Sequence, residues 1–245
     1  MSFIPSEIRR GEFYKRAEGQ SLTADLYLPD AEGTRPIVVV VHGGGWVSRT
    51  GDMEGICRSL SDAGFVAVNI TYRLAPRNHF PAAVEDVRDA VRWVRENAAG
   101  FRGDPNRIAG WGYSAGGNLV LLAGLDPGCG FRALVSGGTP ADLTVWPKSS
   151  QVRRFLGQEQ KENPALWKKA SPAFQVRADS PPVFLYHGRW DLIVNIQQYR
   201  KMQRALQMQG VPHESYVAPL LGHFSAYVLD KECRERGIEF LRKRL

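Results

Sequence analysis

The sequence predicts an α/β fold, a mostly parallel sheet of about seven or eight strands with helices on both faces. The first observation is Pro36–Val41, a continuous apolar run rich in β-branched residues, which suits a strand buried on both sides. The second is Ala82–Asn97, where Val84, Val87, Val91 and Val94 form one helical stripe behind Pro81 at the entry. The third is the alternation of such segments along the chain, the pattern of β-α-β units.

Taken in order, strands are expected at Ala24–Leu28, Ile37–Val41, Phe65–Ile70, Arg107–Trp111, Arg132–Ser136, Val183–His187 and Glu214–Ala218. Each is a short apolar or alternating run bounded by turn residues. Helices are expected at Ala82–Asn97, from Gly117 to Gly124, at Gln197–Gln209 and at Ala226–Leu241. About 20 polar residues lead into the first strand. One long interruption, residues 138–180, carries Trp146, Phe155, Leu156 and Trp167 and is cut by Pro140, Pro147, Pro164 and Pro172. It either roofs a site as a small lid or packs its aromatics on the core. No repeat or low-complexity tract is visible.

At 245 residues, 43% hydrophobic and 23% charged, the chain has a globular composition and enough length for one domain with a sizeable core. Its net charge of +7 is interleaved with acids, as in Lys231–Arg236, which reads as a solvated surface rather than a nucleic-acid footprint. No apolar stretch reaches membrane-spanning length, and Met1–Glu7 lacks a signal pattern. Three widely spaced cysteines, Cys57, Cys129 and Cys233, imply neither a metal knuckle nor a full disulfide set. These features predict a cytoplasmic protein without nucleic-acid or membrane partners, and a homodimer is compatible with them.

The chemistry centres on Gly112-Tyr113-Ser114-Ala115-Gly116, between an apolar strand and a buried helix. A G-x-S-x-G sequence in that context presents a serine on a sharp turn, so Ser114 is the candidate nucleophile, with the Ala115 N–H as an oxyanion donor. Upstream, Pro36–Val41 runs into His42-Gly43-Gly44-Gly45-Trp46, where successive glycines leave backbone N–H groups free to meet a substrate oxygen.

A serine nucleophile needs a base and an orienting acid. Among five histidines, His42, His79, His187 and His213 sit in the glycine loop, before a helix, at a strand end and in a turn. His223, in a loop after the last strand and before the final helix, is the candidate base, with freedom to swing its ring toward Ser114. Asp191, after the penultimate strand, is the candidate acid, and the order Ser, Asp, His fits. Asp142 is the rival.

These segments resemble an α/β-hydrolase of the hormone-sensitive-lipase-like and feruloyl- or acetyl-esterase-like carboxylesterase group. The matching segments are His42–Trp46, Thr71–Pro76, Gly112–Gly117, His187-Gly-x-x-Asp191-x-x-Val194 and Gly222-His223, and the likeness runs from about Leu22 to the C-terminus. The resemblance implies that Gly44 and Gly45 join Ala115 in the oxyanion hole, while His42 and Gly43 shape the loop. It casts Arg73 and Asp86 as a scaffold ion pair, beside the alternative of a solvated one. The substantial N-terminal helical cap of the lipase-like members has no counterpart in the short polar lead.

The expected activity is acyl transfer from short-chain carboxylic esters, with Trp46, Tyr113 and Trp146 as substrate contacts and no metal or organic cofactor. Kynurenine-formamidase-like or peptidase-like amide hydrolysis is the alternative. A non-catalytic receptor fits less well, because the chain keeps all three candidate triad residues.

Overall fold

A computed structural model describes residues 7–50, 52–229 and 231–245. The opening Met1–Ser6, read above as lacking a signal pattern, lies outside the described residues. Eight strands form one sheet: β1 (Glu7–Ala17), β2 (Gln20–Leu28), β3 (Arg35–Val41), β4 (Val66–Ile70), β5 (Gly103–Tyr113), β6 (Ala133–Gly137), β7 (Val183–Gly188) and β8 (His213–Ala218). Their spatial order is β1-β2-β4-β3-β5-β6-β7-β8. From β4 to β8 the pairing is parallel, while β1 with β2 and β2 with β4 are antiparallel.

Helices cover both faces: α1 (Glu54–Asp62), α2 (Ala82–Asn97), α3 (Ala115–Gly124), α4 (Ser150–Leu156), α5 (Pro164–Lys169), α6 (Ile196–Met208), α7 (His223–Val228) and α8 (Lys231–Arg242). The all-apolar β3 explains the two cores. Ile37, Val39 and Val41 pack with Val87, Val91 and Val94 of α2 on one face, whereas Val38 and Val40 pack with Ile56 and Leu60 of α1 and Phe240 and Leu241 of α8 on the other. Side chains alternate across a strand, so a strand covered on both faces must be apolar throughout.

Two expectations are corrected, and of the two readings of Arg73 and Asp86 the scaffold pair is the one found. From Glu7 the polar lead is β1, an edge strand whose side chains are mostly exposed or half-buried, so it carries no apolar period. The final helix is two, α7 and α8, and it begins at His223 itself rather than after it. Arg73 and Asp86 form no solvated pair: Asp86 is fully buried, accepts from the Arg73 N–H at 2.9 Å and Nε at 2.9 Å, and meets Lys15 Nζ at 2.6 Å.

The interruption at 138–180 divides its aromatics. Trp167, Phe155 and Leu156 are buried in the core, while Trp146 is half-buried. Its two helices start conventionally, with the Ser149 hydroxyl accepting from the Val152 N–H and Asn163 Oδ1 accepting from the Leu166 N–H.

Candidate active site

The parallel strands β3, β5, β6 and β7 all end at one edge of the sheet, and the site is built from the loops leaving that edge. Ser114 stands between β5 and α3 with φ 55° and ψ −123°, in a region a residue with a Cβ rarely adopts. The bend is held by the Ser114 N–H donating to Gly137 O at 2.8 Å and by the Asn118 N–H donating to Ser114 O at 3.1 Å. The glycines follow from crowding. A Cβ on Gly112 would lie 2.3 Å from Gly116 O, and one on Gly116 would lie 2.1 Å from Val41 O. Only glycines allow α3 to begin this close to β3 and β5.

His223 is the first residue of α7, and its Nε2 lies 3.0 Å from Ser114 Oγ. Its Nδ1 lies 2.6 Å from Asp191 Oδ2. A carboxylate can only accept, so Nδ1 carries the proton, and Nε2 is the lone pair that faces the serine hydroxyl. The ring is not free to swing. It is buried, and the Tyr113 hydroxyl donates to His223 O at 2.5 Å. Burial pushes the Tyr113 phenol well above its usual range, so that hydroxyl remains a donor.

Asp191 is itself fixed. Its Oδ1 accepts from the N–H groups of Ile193 at 3.0 Å and Val194 at 2.7 Å, and its side chain is fully shielded from solvent. The rival Asp142 is used elsewhere: it caps a short turn through the Thr144 N–H at 2.9 Å and pairs with Lys201 Nζ at 2.5 Å.

The glycine loop approaches Ser114 from β3. Gly44 has φ 116°, and a Cβ there would lie 2.0 Å from Ser48 O, so the turn Gly44–Ser48 closes only with glycine. The N–H groups of Gly44, Gly45 and Ala115 are spent on no acceptor among the described residues. His42 behind the loop stacks on Tyr72 at 4.2 Å, and burial lowers its pKa to about 4. It is therefore neutral, and its Nδ1 lies 2.7 Å from Gly43 O, which makes that nitrogen the donor.

These elements enclose a cavity of about 460 Å³ that contains Ser114, Ala115, His223, Gly44 and Gly45 on its wall. Trp46, Tyr113 and Trp146, the expected substrate contacts, all line it. Sequence reasoning missed Met53, Gln151, Val152, Ile193, Phe224 and Tyr227, which line it too. Phe224 and Tyr227 follow from the helix beginning at His223, which keeps both in the cavity wall beside the histidine. Gln151 and Met53 had no sequence signal, because they arrive through tertiary placement of α4 and α1. Among the described residues no group of His, Cys, Asp and Glu is arranged to hold a metal ion, and no helix is long and apolar enough to cross a membrane.

The chain is similar to several known proteins. Esterase LipQ of Mycobacterium tuberculosis is 33% identical over 232 residues, covering 86% of this chain and 55% of that protein. A protein of the same organism named "Probable carboxylic ester hydrolase LipM" is 33% identical over 192 residues, covering 70% of this chain and 44% of that protein. The chain thus spans about half the length of the curated relatives it matches. A truncated carbohydrate esterase from gut microbiota superposes with a TM-score of 0.90 over 98% of this chain and 97% of that one, at 23% identity, a likeness of fold. An acetyl ester-xyloside bifunctional hydrolase from Caldicellulosiruptor lactoaceticus gives a TM-score of 0.81 at 26% identity, covering 91% of this chain and 87% of that one. The sheet and its helices follow the same fold as these structures, and a family model spanning residues 24–206 matches the chain, which belongs to the BD-FAE family.

Proposed function

We propose that this chain is a serine carboxylesterase acting on short-chain carboxylic esters. The observation that carries the reading is the hydrogen-bonded line from Ser114 Oγ through His223 to Asp191 Oδ2, at 3.0 and 2.6 Å, opening on the cavity. Ser114 Oγ attacks the ester carbonyl carbon as its proton passes to His223 Nε2, and the carbonyl oxygen takes the negative charge. The N–H groups of Gly44, Gly45 and Ala115 receive that oxyanion. Collapse of the tetrahedral intermediate breaks the bond to the alkoxy oxygen, which leaves with the proton from His223 Nε2. Water then gives a proton to the same nitrogen as its oxygen attacks the acyl carbon, and collapse breaks the bond to Ser114 Oγ, which takes the proton back from Nε2 as the carboxylic acid leaves. Asp191 orients the imidazole and stabilises its cationic form throughout. Every proton is carried by a named group, so the cycle needs no cofactor.

In this reading the chain forms one domain, and Trp146, Ser149 and Val152 of the 138–180 segment form a wall of the acyl pocket. The ester preference is supported by the relatives' names, which are esterases and carboxylic ester hydrolases. A small-molecule ester is the proposed partner and the cytoplasm the proposed location. The test is hydrolysis of p-nitrophenyl acetate beside N-formylkynurenine, with labelling by a fluorophosphonate. Ser114→Ala is expected to lose both labelling and turnover, the latter on the order of 10³-fold or more, with an unchanged circular-dichroism spectrum. Near-normal turnover by the folded variant would sink the reading, and faster cleavage of the formamide than of the ester would reassign the substrate.

A further inference from the structure

The loop that carries Asp191 has little apolar packing of its own. Trp190, Leu192 and Ile193 are 63%, 91% and 55% exposed, so its inward face is held by polar contacts. One of these comes from a residue the mechanism above does not use. His187, at the end of β7 and 1% exposed, places Nε2 2.7 Å from Val194 O and 3.5 Å from Asp191 Oδ2. Val194 is also the residue whose N–H donates to Asp191 Oδ1 at 2.7 Å. A ring thus closes from the His187 imidazole to the Val194 carbonyl, and from the Val194 N–H to the Asp191 carboxylate.

Resting on the esterase reading, we propose that His187 is a positioning residue for the acid: its Nε2–H anchors Val194 so that Asp191 presents Oδ2 to His223. A carbonyl oxygen only accepts, which fixes the proton on Nε2. Burial lowers the His187 pKa, so the ring stays neutral and leaves the Asp191 charge to the His223 imidazolium. The groups facing His223 are Ser114, Tyr113 and Asp191, with His187 behind Asp191. A change at His187 therefore reaches His223 through the acid.

The test uses His187→Leu, which removes the donor, and His187→Gln, which keeps an amide N–H. Active sites are counted by fluorophosphonate titration, so kcat is expressed per competent site. His187→Leu is expected to lower kcat on p-nitrophenyl acetate by about 10- to 100-fold with KM within about twofold. The same variant should shift the His223 imidazole titration, followed by NMR, to lower pH, because a misplaced carboxylate stabilises the imidazolium less. His187→Gln should recover most of both. An unmoved His223 titration in His187→Leu would overturn the proposal, and so would a His187→Gln as impaired as His187→Leu. The titration needs no turnover, so the positioning role is judged separately from the esterase reading, which Ser114→Ala decides.

Discussion

Trp46 and Phe155 lie face to face, with ring centroids 4.5 Å apart and planes 8° from parallel. This contact joins the glycine loop after β3 to the helix α4 of the long excursion. The Trp46 indole N–H also donates to Asn118 Oδ1 at 3.2 Å, and Asn118 Nδ2 donates to Pro140 O at 3.0 Å and Ala170 O at 3.2 Å. A single buried amide on α3 thus ties the elbow helix to the glycine loop and to the excursion at Pro140 and Ala170. The C-terminal end of α4 is held from outside as well, by the Phe80 N–H donating to Phe155 O at 2.8 Å.

The two tryptophans of the excursion should therefore behave differently. Trp167 is fully buried in the core, so Trp167→Ala is expected to cost about 3–5 kcal/mol of stability in urea unfolding and to leave acyl-chain preference unchanged where the protein remains folded. Trp146 lines the cavity, so Trp146→Ala should shift acyl-chain preference with a smaller loss of stability. An unchanged profile in Trp146→Ala would remove it from the acyl pocket.

The two candidate acids separate in the same manner. Asp191→Asn is expected to lower kcat on the order of 10⁴-fold, because an amide can stabilise the wrong tautomer of His223. Asp142→Asn should leave kcat within a few-fold and cost about 1 kcal/mol, the worth of a weakened cap and a lost ion pair. The reverse ranking in steady-state kinetics would place the acid on the wrong loop.

What could be read in the sequence was what depends on residues close together in it. Gly112 is crowded by Gly116 O and Gly44 by Ser48 O, contacts four residues apart that only glycine allows, so their spacing shows directly in the chain. The parallel strands declare themselves because burial on both faces demands continuous apolar runs. The edge strand β1 does not, since most of its side chains meet solvent and only Tyr14 is buried. The helical start at His223 was hidden because Gly222 offers no capping side chain, and the Ser225 hydroxyl that accepts from the Gly222 N–H at 2.8 Å lies inside the helix. Gln151 and Met53 reach the cavity through packing between elements distant in sequence, and that leaves no local pattern.

His42 gives a stability prediction with a definite sign. Burial lowers its folded pKa from 6.5 to about 4, so between those values the unfolded chain binds a proton that the folded protein refuses. The stabilisation is full above pH 6.5 and is lost as pH falls toward 4, about 3 kcal/mol in all. His187 adds to the loss in the same direction, since its pKa is also lowered by burial. Urea midpoints of the wild type should fall between pH 7.5 and pH 5, and His42→Phe, although less stable at pH 7.5, should show a shallower decline. Parallel declines in the two proteins would mean that His42 is not buried neutral.

Substrate length follows from where the chain supplies wall. From Glu7 to Ala17 the N-terminal lead forms β1 at the far edge of the sheet, separated from β5 by three strands, and none of these described residues lines the cavity. The space beside Ser114 is about 460 Å³, and its apolar lining includes Trp46, Met53, Trp146, Val152, Ile193 and Phe224. Leu192 and Leu220, in the loops that lead to Ile193 and His223, are 91% and 83% exposed and add no wall to this space. Each methylene contributes about 0.8 kcal/mol only where it is fully buried. The kcat/KM for p-nitrophenyl esters is therefore expected to peak between acetate and butyrate and to fall by octanoate. Phe224→Ala should lower the peak value, because it removes one side of the wall that receives those first carbons. A kcat/KM that rises steadily through decanoate and dodecanoate would refute the shallow pocket and point to a channel extending past Phe224.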